Sequence, residues 1–196
     1  MTDKLKNFLS RDLSWSSISS FEYDKEKWYD KYANGIIEPQ SAQMEFGNIV
    51  GKKLAEDLTF LPEVPRYSVF EKKLKANIGD VNLVGYLDTF CPDTFCFNEY
   101  KTSSNDRKWT KKSSKEHGQN KFYNFLIYKN YGIIPEKIKG RLVYIPVEQG
   151  QDFQMMLSDK PIQIFEVNYT TAEILNFMSF VKKKHSEMIK YIESRG

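Results

Sequence analysis

The stretch from Gly85 to Lys101, GYLDTFCPDTFCFNEYK, constrains this chain more than any other. Two short apolar runs flank a Cys91-Pro92-Asp93-Thr94 turn; the first carries Asp88 and the second carries Glu99 and Lys101, two residues apart. If both runs are strands of a hairpin with loop 91–94, Phe90 faces Phe95 and Asp88 faces Phe97. Side chains alternate along a strand, so Asp88, Glu99 and Lys101 then share one face, as any even-numbered loop requires. Two hard carboxylate ligands suit a divalent ion such as Mg²⁺. A lysine beside them is placed to position a water or to offset phosphate charge.

The chain before this stretch reads as helices. Residues 1–12 are polar and are expected to be poorly ordered. Ser16 or Ser17 is placed to cap one helix that runs through Phe21, Tyr23, Trp28 and Tyr32 and stops near Gly35. Trp15, Phe21, Trp28 and Tyr32 read first as core aromatics. Residues 41–58 read as a second helix, with Phe46, Val50, Leu54 and Leu58 as its apolar stripe. Gly47, Gly51 and Ala55 make a parallel stripe of small residues. A glycine inside a helix costs roughly 1 kcal/mol against alanine, so two of them ask for close approach of the sheet or a ligand. Leu61 to Pro65 is a connection, residues 67–76 alternate as a half-exposed strand, and Asn77 to Asp80 is a turn. Val81–Phe90 and Phe95–Thr102 then complete a three-stranded antiparallel meander.

The segment after the meander is basic. From Lys101 through Lys121, seven Lys or Arg stand against two acids, Asp106 and Glu116. Lys108, Lys111 and Lys112, with Trp109 among them, read either as a mobile loop that holds DNA phosphates and stacks on a base, or as a solvated charge run. Ser113-x-x-Glu116 matches a capping box for a helix to about Tyr131, with Gly132 as its stop. On that helix Gln119 and Tyr123 are one turn apart and share a face; His117, near its start, reads as a surface residue. Lys139–Val147 and Ile162–Asn168 read as strands. Thr170-x-x-Glu173 opens a final helix with Ile174, Met178, Val181, Met188 and Ile192 on one stripe.

At 196 residues, 40% hydrophobic and 28% charged, the chain is long enough for one globular domain over residues 1–196. The net charge of +3 is mild, so a nucleic-acid surface has to come from local clustering. No apolar run reaches membrane-span length and no signal-peptide pattern opens the chain, which points to a cytoplasmic protein with no membrane partner. Cys91 and Cys96 read as reduced thiols.

The order G-x-x-D at Gly85–Asp88, E-x-K-T at Glu99–Thr102 and Q-x-x-x-Y at Gln119–Tyr123 resembles the PD-(D/E)xK nuclease superfamily, in particular its RecB-like branch. The serine-rich, aromatic opening helix is similar as well, so the resemblance spans roughly residues 13–190. It implies an α/β, restriction-endonuclease-like sandwich: a central mixed β-sheet, antiparallel meander plus following strands, flanked by helices. It also implies Mg²⁺- or Mn²⁺-dependent hydrolysis of DNA to 5′-phosphate products. Asp88, Glu99 and the Tyr100 carbonyl would hold the ion, and Lys101 would hold a water or stabilise developing charge. Gln119, Tyr123, Thr102, Lys108, Trp109, Lys111 and Lys112 would contact substrate.

Some of the branch carries an iron–sulfur cluster on four cysteines, which two cysteines do not provide. The branch also often binds metal through an acid or histidine in G-x-x-x-E or G-x-x-x-H on the second helix. Counted from Gly47, that position is Gly51 here. Glu45 is a substitute candidate, and a DNA- or protein-binding module without cleavage stays open beside the nuclease. A small domain of this kind looks like a phage or bacterial exonuclease of recombination, repair or phage DNA processing. It would work in the cytoplasm of a bacterial or phage-infected cell, as a homo-oligomer or with a recombination or replication partner protein.

Overall fold

Alternating segments with the period of a strand, set between amphipathic helices, build one mixed sheet. The computed structural model describes residues 1–151 and 154–195. Four helices come first: α1 (Asp3–Leu9), α2 (Trp15–Tyr23), α3 (Lys25–Tyr32) and α4 (Ala42–Glu56). The opening residues are packed rather than loose. Leu5 and Phe8 fall on the buried side of α1, and Phe8 meets Trp28 edge-on at 5.3 Å.

The single helix expected over Ser16–Tyr32 is two. Asp24 leaves the helical conformation at φ −153°, and its carboxylate accepts from the backbone N–H groups of Glu26 and Lys27. A short acidic side chain gains more as a cap than as an interior residue. Trp28 is fully buried, and its ring N–H donates to Ser17 at 3.0 Å; Phe21 is core with it, Trp15 and Tyr32 pack half-buried against that core, and Tyr23 is exposed.

The meander follows as β1 (Val69–Ile78), β2 (Val81–Cys91) and β3 (Cys96–Ser103). The β2–β3 hairpin is shifted by two residues from the expected register. Phe90 faces Phe97 and Cys91 faces Cys96, around a loop of residues 92–95 in which Phe95 takes φ +54°. This register pairs two fully buried phenylalanines and leaves Pro92 in the loop, where no ladder donor is lost. Helices α5 (Lys111–Glu116) and α6 (Gly118–Tyr131) then carry the chain over to β4 (Lys139–Gln149), which is parallel to β3. The capping box of α5 is Thr110 with Ser113, not Ser113 with Glu116, and His117 separates the two helices. Gly132, at φ +69°, ends α6 as expected.

The far edge of β4 pairs with β6 (Gln163–Val167) along its first half and with a short β5 (Met155–Leu157) along its second; β5 has no counterpart in the sequence reading. Helix α7 (Thr171–Glu193) closes the chain behind a Thr170–Glu173 capping box. The described residues thus form a six-stranded mixed sheet in the order β1-β2-β3-β4-β5, with β6 also on β4, flanked by seven helices. This is the α/β sandwich that the sequence implied. The larger core lies between the sheet and α1–α3, α6 and α7. A smaller one puts Val50 and Leu54 of α4 against Val143 and Ile145 of β4.

Gly85 has a packing role. A Cβ there would sit 2.6 Å from Leu126 and 2.9 Å from the Tyr123 ring, so only glycine lets α6 settle onto β2. Gly85→Ala is expected to cost about 1–3 kcal/mol through overpacking, read as a lower denaturant midpoint at unchanged slope.

Candidate active site

The site forms where the sheet splits. β2 and β3 pair only from Cys91–Cys96 to Thr89–Asn98, and Asp88 and Glu99 are the next residues past that point. The Tyr100 N–H, which has no ladder partner there, donates to Asp88 Oδ2 at 2.6 Å. The strand split therefore orients the aspartate. On β3, Glu99 and Lys101 lie on one side, and Glu99 Oε1 is 2.6 Å from Lys101 Nζ. Lys101 Nζ also donates to Gln119 Oε1 at 2.8 Å, and Gln119 Nε2 donates to the Tyr123 hydroxyl at 2.7 Å. Residues separated in sequence by two turns of chain and a whole helix thus form one hydrogen-bonded row: Glu99, Lys101, Gln119, Tyr123.

A cavity of about 660 Å³ opens in front of the split, lined by Asp88, Glu99, Tyr100, Lys101, Thr102 and Lys108 from the sheet side and by α4. Gly47 and Gly51 are both on its α4 wall. A Cβ on Gly47 would stand 2.9 Å from Thr102 Oγ1, so this glycine lets α4 lie against β3. A Cβ on Gly51 would meet nothing within 4 Å, so Gly51 faces open space. Glu45 is exposed and does not line the cavity; the helix supplies no acid.

Burial dominates the electrostatics. Glu99 is 2% exposed, and burial raises its pKa against the pull of Lys101. Asp88 is pushed well above the ordinary carboxylate range by burial and then by the Glu99 charge, with the Tyr100 N–H and Lys101 opposing. Burial pulls Lys101 down, but Glu99 and Asp88 outweigh it and hold the ammonium above its usual pKa. Tyr123 is raised well above its usual value by burial and by both carboxylates, so its hydroxyl stays protonated.

The donor set fits a hard divalent cation. Glu99 Oε2 is buried and has no hydrogen bond of ordinary geometry, while Oε1 is held by Lys101 and the nearby Tyr123 hydroxyl adds a smaller pull that lowers the Glu99 pKa. Among the described residues no three His, Cys, Asp or Glu side chains are grouped to cage an ion. Two carboxylates suffice for Mg²⁺, which keeps several of its waters.

Two expectations for the basic segment change. Trp109 is 7% exposed and packs with Leu142 and Tyr144 of β4, so its ring belongs to a core cluster and is not presented to a base. His117 is half-buried and unlike a surface residue: burial, then Lys101 and Lys108, lower its pKa to about 3. Lys108, Lys111 and Lys112 are exposed, but only Lys108 reaches the cavity. Glu71 of β1 also lines the cavity and was not a candidate. The β1–β2 ladder, with Phe70 facing Thr89 and Lys72 facing Leu87, sets Glu71 opposite Asp88 without pairing the two.

The architecture matches solved exonucleases. A phage-related exonuclease from Haemophilus somnus 129PT has a TM-score of 0.56 at 9% identity, over 99% of this chain and 95% of that one. An alkaline exonuclease (LHK-Exo) from Laribacter hongkongensis gives 0.51 at 14% identity, over 97% and 96%. A provisionally named exonuclease from Eubacterium rectale gives 0.57 at 13% identity, over 95% and 82%. The fold is the one these exonucleases share. No family model and no curated protein matches the sequence. At these identities the likeness establishes the nuclease-like fold, and the chemistry has to be argued from the side chains.

Proposed function

We propose that the chain is a Mg²⁺- or Mn²⁺-dependent deoxyribonuclease, an exonuclease of recombination, repair or phage DNA processing in a bacterial or phage-infected cell. The observation that carries this reading is the buried, unpartnered Glu99 Oε2 beside Asp88, at the head of the row through Lys101, Gln119 and Tyr123. Asp88, Glu99 and the Tyr100 carbonyl would hold the ion. When bound, a divalent cation polarises a phosphoryl oxygen and lowers the pKa of water.

The chain's own groups do the rest. Lys101 stays an ammonium and meets negative charge that builds on the phosphate in the transition state. Gln119 and Glu99 both hold the ammonium, and Tyr123 holds Gln119. Thr102 and Lys108 on the cavity wall are placed to take phosphate oxygens of the strand. Gly51, facing the cavity with no side chain, favours the second reading: a binding module on the same fold that holds DNA without cutting it.

End-labelled linear DNA and closed circular DNA, each with Mg²⁺ or Mn²⁺, test the two. The linear substrate is expected to be degraded and the circle left whole. Failure to cut single- or double-stranded DNA with either metal would sink the enzyme reading and leave the binding module.

A further inference from the structure

We propose that Glu71 is the third acid of the metal site, acting from strand β1 through ion-bound water in place of the acid that α4 lacks at Gly51. The inference rests on the metal-dependent reading above and assigns it a residue. The ladder between β1 and β2 is regular on both sides of Glu71, with Phe70 facing Thr89 and Lys72 facing Leu87. Glu71 itself, across from Asp88, takes φ +47°, a left-handed conformation rare for a residue with a side chain and rarer inside a strand. Glu71 is exposed and lines the same cavity as Asp88 and Glu99.

No cation there balances it. Lys101 is engaged by Glu99 and Gln119, Lys52 lies 3.8 Å from Glu56, and Lys108 lies over the Trp109 ring. Among the described residues no hydrogen bond or ion pair engages the Glu71 carboxylate. Within the cluster, Glu99 Oε2 is buried with no hydrogen-bond partner and opens on the same cavity, so it is free to take a ligand. Among the described residues the three carboxylates are not grouped to hold one ion directly, so Glu71 would reach the ion through its water. Outer-sphere acids of this kind tune metal affinity strongly.

Mn²⁺ binding to the whole chain, followed by titration calorimetry and by the spin resonance of bound Mn²⁺, tests this. Glu71→Gln is expected to weaken binding by about tenfold or more, with the melting temperature in EDTA not lowered. Glu71→Gly separates a ligand role from a structural one. Glycine adopts positive φ freely, so this variant is expected to melt higher in EDTA yet bind Mn²⁺ as weakly as Glu71→Gln. If the wild-type chain binds Mn²⁺ and both variants match it within about twofold, well inside the expected loss, the inference about Glu71 is overturned while the metal reading stands. If the wild-type chain binds no Mn²⁺, both fall together.

Discussion

Replacing Lys101 by alanine is expected to slow metal-dependent DNA cleavage by about 10²–10³-fold, the usual cost of removing one preorganised donor from developing charge. The loss should fall on kcat, because the ammonium matters most when charge builds on the phosphate. Mn²⁺ binding should survive. Lys101 offsets the charge on Glu99 at 2.6 Å, so its removal leaves two carboxylates with more reason to take a cation. The metal-free variant should melt lower, since a buried carboxylate loses its partner; the penalty is moderated because the Lys101 side chain is 27% exposed. Excess Mn²⁺ should narrow that gap. Single-turnover cleavage and calorimetry on the same preparation check both halves, and a Lys101→Ala variant that cuts at the wild-type rate would remove Lys101 from the chemistry.

Asp88→Asn is expected to abolish cleavage and to weaken Mn²⁺ binding by at least about 100-fold, at or above the upper end of losses seen for outer-shell partners. The amide oxygen of asparagine can still accept from the Tyr100 N–H, so the local backbone is retained. The sign of the stability change follows from linkage. Asp88 and Glu99 have folded-state pKa values above their unfolded ones. Between those values the folded, metal-free chain holds more protons than the unfolded chain, and stability falls as pH rises through that window. Removing the Asp88 charge removes part of this loss, so Asp88→Asn in EDTA should be at least as stable as the wild type at the top of the window. Metal binding requires the ionised carboxylates, so it releases protons, and Mn²⁺ affinity should climb with pH from the ordinary carboxylate range upward. Titrations in buffers of different ionisation enthalpy count those protons. Release that is absent in the wild type would contradict the raised carboxylates.

The site's centre was legible because short-range geometry fixes it. Glu99 and Lys101 are two apart on a strand, and Gln119 and Tyr123 are one turn apart on a helix. The hairpin register was expected two residues away from where it lies, yet an even shift preserves which side chains share a face, so Asp88 still joined Glu99. Glu71 was not legible in the same way. Its place depends on a ladder to another strand and on a positive φ that no residue preference announces. Trp109 read as exposed because its sequence neighbours are polar and basic, while its burial is decided by Leu142 and Tyr144 of a strand far along the chain. The break at Asp24 turned on competition between helix continuation and a side-chain cap, two alternatives that an aromatic pattern alone does not weigh.

One backbone proton has an unusual position. In an ordinary hairpin the Tyr100 N–H would be held by a carbonyl of the neighbouring strand; here it is held by the Asp88 carboxylate itself. Its resonance therefore senses the charge of the Asp88 side chain through a single hydrogen bond. In a spectrum of the labelled chain, that one amide peak would move as Asp88 loses its proton and again as a cation arrives. The place where the sheet comes apart thus carries its own indicator, readable without substrate and without turnover.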